Sequence, residues 1–386
     1  MPTAGKDIEL EFHPFSSTSQ TQSHKSRNNN NNSKLCSSIM AQVLTISPEA
    51  STVSFYVQEL LPIPKSNEVF VRFLAAPINP LDILVLENAY PVKPQHSYLQ
   101  QPIPGYDGVA KVISCGTNVS GLSPGDLVIP RKFGAGTWRT HAVLDFQYLQ
   151  KISAPTDPKF AAILRISIGP AFCLVEDMRN LKPGDYIIQN AGTSVMAQMV
   201  AQFAHRRGVS VINVIRDRPN IEVEVVKNAL YELGVDMVLT DSEMIENDSL
   251  KNKRITLALD SVFGPSGRSL VKALSVGGTY VQLGFLGGRE EQIRLDASDL
   301  FMRQLTLKAF RGSSQVGMRT AEEQCDLFNW FVSLFNRGEL RMPPLQLQEV
   351  TWDLRDPNGS KERLLQAVRG ARNAVFGQRK QIIVFK

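Results

Sequence analysis

Four cysteines in 386 residues, Cys36, Cys115, Cys173 and Cys325, lie far apart and form no Cys-x-x-Cys pair. That excludes a disulfide framework and a cysteine-rich zinc site, and it fits a reducing compartment. No apolar run approaches the roughly 18 residues of a membrane-spanning helix, so no membrane span is expected. No basic block with interleaved aromatics is present, and the net charge is a mild +5. No nucleic-acid partner is expected. Between Phe12 and Met40 there is no acid at all, and the stretch is rich in Ser, Gln and Asn, with an unbroken run from Asn28 to Asn32. Such a composition cannot bury a core. Residues 1–39 therefore read as a disordered extension or a presequence. Lys25, Arg27 and Lys34 are presequence-like, whereas Asp7, Glu9 and Glu11 are not. A start at Met40 is a further alternative.

What is present describes an ordinary folded chain: 43% hydrophobic and 20% charged residues, and length enough for two domains. The stretch from Asp185 to Arg218 carries the clearest pattern. Tyr186-Ile187-Ile188 is a short apolar run of the kind a buried parallel strand shows. The small-residue turn Asn190-Ala191-Gly192-Thr193-Ser194 follows. Val195, Met199, Val200 and Phe203 then recur at helical spacing, so a helix starts near Ser194 and ends at Gly208. Val209 to Ile215 is a second strand-like run. Strand, turn, helix and strand make a βαβ unit, whose turn offers backbone N–H groups and a helix N-terminus to a pyrophosphate. The turn has only the first glycine of the usual pattern, so a plain α/β turn is the alternative. Arg216-Asp217-Arg218 at the end of the second strand favours the dinucleotide site. Two guanidiniums there suit a 2′-phosphate, where an NAD site would have an acid.

Taken in order, Ala41 to about Lys151 reads as mainly β. The strand-like runs are Ala41–Ile46, Val69–Pro77, Gly108–Ser114, Asp126–Pro130 and Ala142–Leu149, with Pro and Gly between them, as in a barrel-like domain. From Ser167 to Phe310 strands and helices alternate, which implies a doubly wound parallel sheet. A helix over 320–336, a strand from Leu345 to Trp352, a helix near 361–368 and a last strand Gln381–Phe385 look like a return to the first domain. Cys325, Trp330 and Trp352 read as core, and Cys115 and Cys173 as buried small residues.

Four stretches carry a resemblance: Pro77-Ile78-Asn79-Pro80-Leu81-Asp82-Ile83 with Ala89-Tyr90-Pro91; Gly136-Thr137-Trp138-Arg139-Thr140; Ile188 to Ser194; and Val214 to Asn220. From about Met40 onward the chain resembles the medium-chain dehydrogenase/reductase superfamily, and within it the mitochondrial 2-enoyl thioester reductases. The resemblance implies an α/β protein with a GroES-like β-rich catalytic domain and an inserted Rossmann domain. The expected division is 40–166 catalytic, 167–310 Rossmann and 311–386 a return to the catalytic domain. It implies NADPH as cofactor, an enoyl thioester of CoA or acyl carrier protein as substrate, and a homodimer. The mitochondrial matrix is the implied location, with the cytoplasm as alternative.

Carried over residue by residue, the resemblance makes Tyr90 the donor to the thioester carbonyl. The chemistry agrees, because hydride addition to the β-carbon drives negative charge onto that oxygen and a protonated phenol stabilises it. Cofactor contacts fall on Gly169, Asn190, Gly192, Thr193, Ser194, Val195 and Met196; on Arg216, Asp217 and Arg218; on Leu283, Gly284, Phe285 and Leu286; and on Phe310, Arg311, Gly312 and Lys380. For Lys380 the alternative is a solvated lysine in the basic run Arg379-Lys380. No metal is implied: the zinc-dependent relatives' Gly-His-Glu falls on Gly105-Tyr106-Asp107-Gly108, without the histidine, and His96 and His141 read as packing or surface residues.

Four positions depart from the family. Its Val-Asn-Pro falls on Ile168-Gly169-Pro170, its Tyr-Gly-Gly-Met on Leu283 to Leu286, its Phe-Trp on Phe310-Arg311 and its Asn-Glu-Gly on Tyr106-Asp107-Gly108. An Arg311 that faces the pocket would favour a polar or anionic acyl group; the alternative is an outward or ion-paired arginine. These departures keep two other readings open, an NADPH quinone or enone reductase and a non-catalytic NADPH-binding paralogue.

Overall fold

A computed structural model describes residues 40–47, 53–58, 63–246, 248–345, 347–372 and 380–386. The expectations for residues 1–39, including Cys36, lie outside them. The β-rich part is built from β1 (Ala41–Ile46), β2 (Val53–Gln58), β3 (Glu68–Ile78), α1 (Pro80–Leu86), β4 (Ser97–Tyr98), β5 (Gln101–Pro102), β6 (Val109–Cys115), β7 (Leu127–Pro130), β8 (His141–Asp145) and β9 (Leu149–Ile152). Next come α2 (Pro158–Ala161), a π-helical turn over Leu164–Ile168 and α3 (Gly169–Glu176). The alternating part holds β10 (Tyr186–Gln189), α4 (Val195–Arg206), β11 (Ser210–Ile215), α5 (Asn220–Tyr231), β12 (Met237–Thr240), α6 (Asp241–Glu246), β13 (Ile255–Asp260), α7 (Gly264–Ala273), β14 (Thr279–Gln282) and β15 (Thr306–Ala309). The chain ends with α8 (Gly312–Val316), α9 (Ala321–Asn336), β16 (Leu347–Trp352), α10 (Pro357–Arg372) and β17 (Lys380–Phe385).

The alternating part is a six-stranded sheet in the order β12-β11-β10-β13-β14-β15, with every pair parallel. This is the doubly wound order whose crevice opens at the carboxyl ends of β10 and β13. Its central strands are covered on both faces, so all six residues of β13 are buried, whereas those of the edge strand β15 are exposed. The second sheet runs β16-β17-β3-β6-β7-β9, with β8 also paired to β3. The two C-terminal strands thus sit beside β3, so the chain leaves this sheet, builds the parallel one and comes back.

Several elements differ from the reading of the sequence. The single run 142–149 is broken: Asp145 accepts from the Gln147 amide, forms a 3-10 turn over Phe146–Tyr148 and redirects the chain into β9. β2 and α1 were not expected. In α1, Asn79 is the N-cap, Pro80 opens the helix and Asp82 accepts from the Asn79 amide at 2.8 Å. Trp352 is fully buried, but Trp330 is 41% exposed, lying edge-on to Phe172 at the margin of the core. Cys325 and Cys115 are half-buried, whereas Cys173 is buried.

Candidate functional site

The turn after β10 is pressed against β11. A Cβ on Gly192 would lie 2.8 Å from Asn213 Cβ and 3.0 Å from the Val214 carbonyl. The Gly192 amide donates to that carbonyl at 3.0 Å, and Asn213 Nδ2 donates to the Gly192 carbonyl at 2.9 Å. Only glycine allows this approach. Ser194 caps α4, its hydroxyl accepting from the Ala197 amide at 3.1 Å. The Val195 and Met196 amides have no preceding turn to receive them, so they open toward the crevice beside Thr193. A diphosphate fits such a turn through backbone N–H groups alone.

Asn190 does not join that cradle. Its side chain is buried and used internally, with Nδ2 donating to Asp260 Oδ1 at 2.6 Å and Oδ1 accepting from the Ser261 amide at 2.8 Å. Asp260 also accepts from the Tyr280 hydroxyl, and the set braces the carboxyl ends of β10, β13 and β14. Asn190 is therefore a brace and not a ligand-facing amide.

At the end of β11, Asp217 is turned toward Ser242, whose hydroxyl donates to it at 3.0 Å. Hydrogen bonds, that of Thr240 first, hold its carboxylate below the usual range. That leaves Arg216 and Arg218 side by side. Burial and then the charge of Arg218 press the Arg216 guanidinium down, while Asp241 raises it. A dianion between them relieves the repulsion of like charges.

The other end of the crevice is where the sequence misled most. A Cβ on Gly169 would meet Phe328 at 3.1 Å and the Leu164 carbonyl at 3.2 Å. That position faces the core, so a side chain there would have to displace Phe328 of α9. The polar group is two residues earlier. Ser167 is buried, and Lys380 Nζ donates to its hydroxyl at 2.8 Å. Lys380 is thus not a solvated lysine. The residue is partly buried, and loss of solvent around its ammonium lowers it to about 8, with Asp107 and Asp82 pulling upward. Both acids are buried and raised to about 7 by the same loss of solvent. Ser167, Asp82 and Asp107 were not foreseen as site residues. Asp82 lies in the first stretch of the resemblance and Asp107 at a departure from it, but neither placement marks an acid buried near Lys380, and Ser167 belongs to no motif.

Phe310 is buried in the core rather than lining the crevice, and Gly312 packs on Pro170, where a Cβ would lie 3.0 Å from its ring. Arg311 is exposed at the start of α8, and it has no acid within ion-pair distance among the described residues. Gly284 follows β14, close to the Ser261 carbonyl. Leu283 packs on the core, while Phe285 and Leu286 are exposed. From the same loop Arg289 lies 5.5 Å over the Phe285 ring and reaches to 3.5 Å from the Ala89 carbonyl. That contact sets the loop after β14 across from half-buried Tyr90. Among the described residues there is no group of three His, Cys, Asp or Glu placed to hold a metal, and no helix long and apolar enough to cross a membrane. His141 is buried and stacked on Phe70.

Comparison with known proteins bears on the family and the fold. Residues 65–154 match the alcohol dehydrogenase GroES-like domain. The mitochondrial enoyl-[acyl-carrier-protein] reductase of Arabidopsis thaliana is 34% identical over 288 residues, 72% of this chain and 73% of the relative. The solved complex of Etr1p with NADP and crotonyl-CoA superposes with a TM-score of 0.79 at 25% identity, over 90% of this chain and 100% of that one. The mitochondrial 2-enoyl thioester reductase Etr1p/Etr2p heterodimer from Candida tropicalis does so with a TM-score of 0.78, also at 25% identity and the same coverage.

Proposed function

This chain belongs to the enoyl-[acyl-carrier-protein] reductases of the medium-chain dehydrogenase/reductase superfamily, and from that premise we propose that it reduces the 2,3 double bond of a trans-2-enoyl thioester with NADPH. Bound NADPH supplies the hydride that adds to the β-carbon. The chain's own groups do the rest. Val195 and Met196, at the start of α4, offer amides for the diphosphate, with Thr193 and Ser194 lining the turn and Gly192 letting it lie close. Arg216 and Arg218 bind the 2′-phosphate. Lys380 and Ser167 face the nicotinamide end. Tyr90 donates from its phenol to the thioester carbonyl oxygen, where negative charge grows in the transition state. The observation that carries the reading is the approach of Arg289 to the Ala89 carbonyl, which sets the Tyr90 loop opposite the loop that follows β14.

The domain division at 40–166, 167–310 and 311–386 belongs to the same proposal, and the strand membership of the two sheets supports it. So does a homodimer. β15 is the edge of the parallel sheet, all of its residues are exposed, and exposed Leu300, Phe301 and Met302 lie just before it. An open apolar edge of this kind pairs readily with another strand. Because the curated relatives are named mitochondrial, we assign the chain to the mitochondrion and propose the matrix. For the carrier of the acyl group we propose both CoA and acyl carrier protein.

The test is NADPH oxidation with crotonyl-CoA and a longer 2-enoyl-CoA. Tyr90→Phe is expected to lower kcat by about 10²–10³-fold with NADPH affinity kept. Full turnover by the variant would remove Tyr90 from the mechanism. Turnover of free enones or quinones with none of enoyl-CoA would replace the thioester reading.

A further inference from the structure

Tyr106 and Asp107 stand where the chain departs from its family, and neither touches the cleft directly. Their backbone is locked. Gly105 before them has φ +99°, its carbonyl accepts from the Gly136 and Thr137 amides, and the Thr137 hydroxyl donates to the Asp107 carbonyl at 2.7 Å. From this fixed base the two side chains hold different segments. The Tyr106 hydroxyl donates to the Val92 carbonyl at 2.6 Å, two residues after Tyr90. Asp107 Oδ1 accepts from the Gly108 amide at 3.0 Å, and Oδ2 accepts from the Ile166 amide at 2.9 Å. Ile166 precedes Ser167 in a π-helical turn, a local geometry met most often at functional sites.

The charges around this point are unevenly paired. Lys380, from β17, donates to Ser167 and lies beyond ion-pair distance of both Asp82 of α1 and Asp107. Each acid is anchored to backbone amides instead. Asp107 also faces Arg165 of the π-helical turn, whose guanidinium lies 5.1 Å over Phe133 and has Arg131 nearby. The ammonium is therefore held by its contact with the Ser167 hydroxyl, and the two acids act on it only from a distance.

We propose that Tyr106 and Asp107 are positioning residues that set the two ends of the reacting site against each other. Tyr106 holds the segment that bears Tyr90. Asp107 holds the segment that bears Ser167, the hydroxyl to which Lys380 donates. The inference rests on the role given to Tyr90 and to the nicotinamide end above.

The experiment separates the two arms. Tyr106→Phe removes one hydroxyl and no volume to speak of. It is expected to lower kcat roughly tenfold while the NADPH Kd, read by equilibrium fluorescence without enoyl substrate, stays within about twofold. Asp107→Asn is expected to weaken NADPH roughly tenfold. It also moves the fall of NADPH affinity at alkaline pH to a lower pH, because Lys380 loses an anion that favours its charged form. Melting temperatures of both variants are read alongside. A fall in melting temperature with kcat and Kd unchanged, or equal changes in both parameters for both variants, overturns the proposal. A Tyr90→Phe enzyme of full activity overturns the Tyr90 assignment, and with it the Tyr106 arm. In that case the NADPH arm is decided by Asp107→Asn alone.

Discussion

Gly192→Ala tests the tightest contact of the cofactor turn. The added methyl would sit 2.8 Å from Asn213 Cβ, 3.0 Å from the Val214 carbonyl and 3.2 Å from Ile215 Cγ2. Two of these are backbone or near-backbone atoms of a strand buried on both sides, so they cannot swing away. The turn cannot retreat freely either, since hydrogen bonds to Val214 and from Asn213 tie it down. Overpacking of this kind costs about 1–3 kcal/mol. If relief comes by breaking one of the two hydrogen bonds, about 1 kcal/mol more is lost. Either way the Thr193 to Met196 amides shift from the line of α4. The expected result is a lower melting temperature and an NADPH Kd weaker by about tenfold or more, each tenfold being about 1.4 kcal/mol. Fluorescence titration with NADPH and a thermal melt of the cofactor-free protein measure the two. Wild-type values of both would refute the reasoning, because they would mean that the turn does not lie against β11 as described.

Three further outcomes are expected. Arg216→Ala should weaken NADPH by about 10- to 100-fold, the range of a charge-assisted hydrogen bond of roughly 1.5–3 kcal/mol, and should relax NADPH over NADH preference; competitive titration of both cofactors checks it. Asp82→Asn should raise the melting temperature most at pH 8, less near pH 5 and not at all below about pH 4. The buried carboxyl is raised from 3.8 to about 7, so the folded state binds more protons between those values and the wild type loses this stability as pH rises through them. Leu307→Lys in β15 should convert a dimer to monomers in sedimentation without changing NADPH affinity, and a dimer that persists would place the interface elsewhere.

The parallel sheet was readable because its strands need nothing but local chemistry. Ile255 to Asp260 is a mostly apolar run that ends in an acid, and it is β13 in the structure. Ser194 caps α4 as its hydroxyl and the following helical spacing imply. Membership of the superfamily was readable for the same reason, since it lies in contiguous stretches. The crevice was less so. Nothing near residue 169 says that its side-chain direction is filled by Phe328 of α9, or that Ser167 is the residue met by Lys380, 213 positions away. The basic run 379–380 looks solvent-exposed by composition, and only the folded sheet brings that ammonium to the Ser167 hydroxyl. Asn190 likewise has the right residue type and place for a ligand, but Asp260 claims it first.

The return of β17 to β3 has a consequence for how the protein is made. Gln381 pairs with Ile78, and Trp352 donates to Gln42 from 310 positions away, so the catalytic sheet closes over most of the described chain. The parallel sheet needs only short crossovers and can form as soon as residues 186–309 are available. The edge of β3 at Ala75–Ile78 is completed only by the last strand, the same strand that brings Lys380 to the site. Until then the unfinished chain has an aggregation-prone strand and no complete site. Anything that delays docking of the last strand will be felt as poor yield before it is felt as poor catalysis.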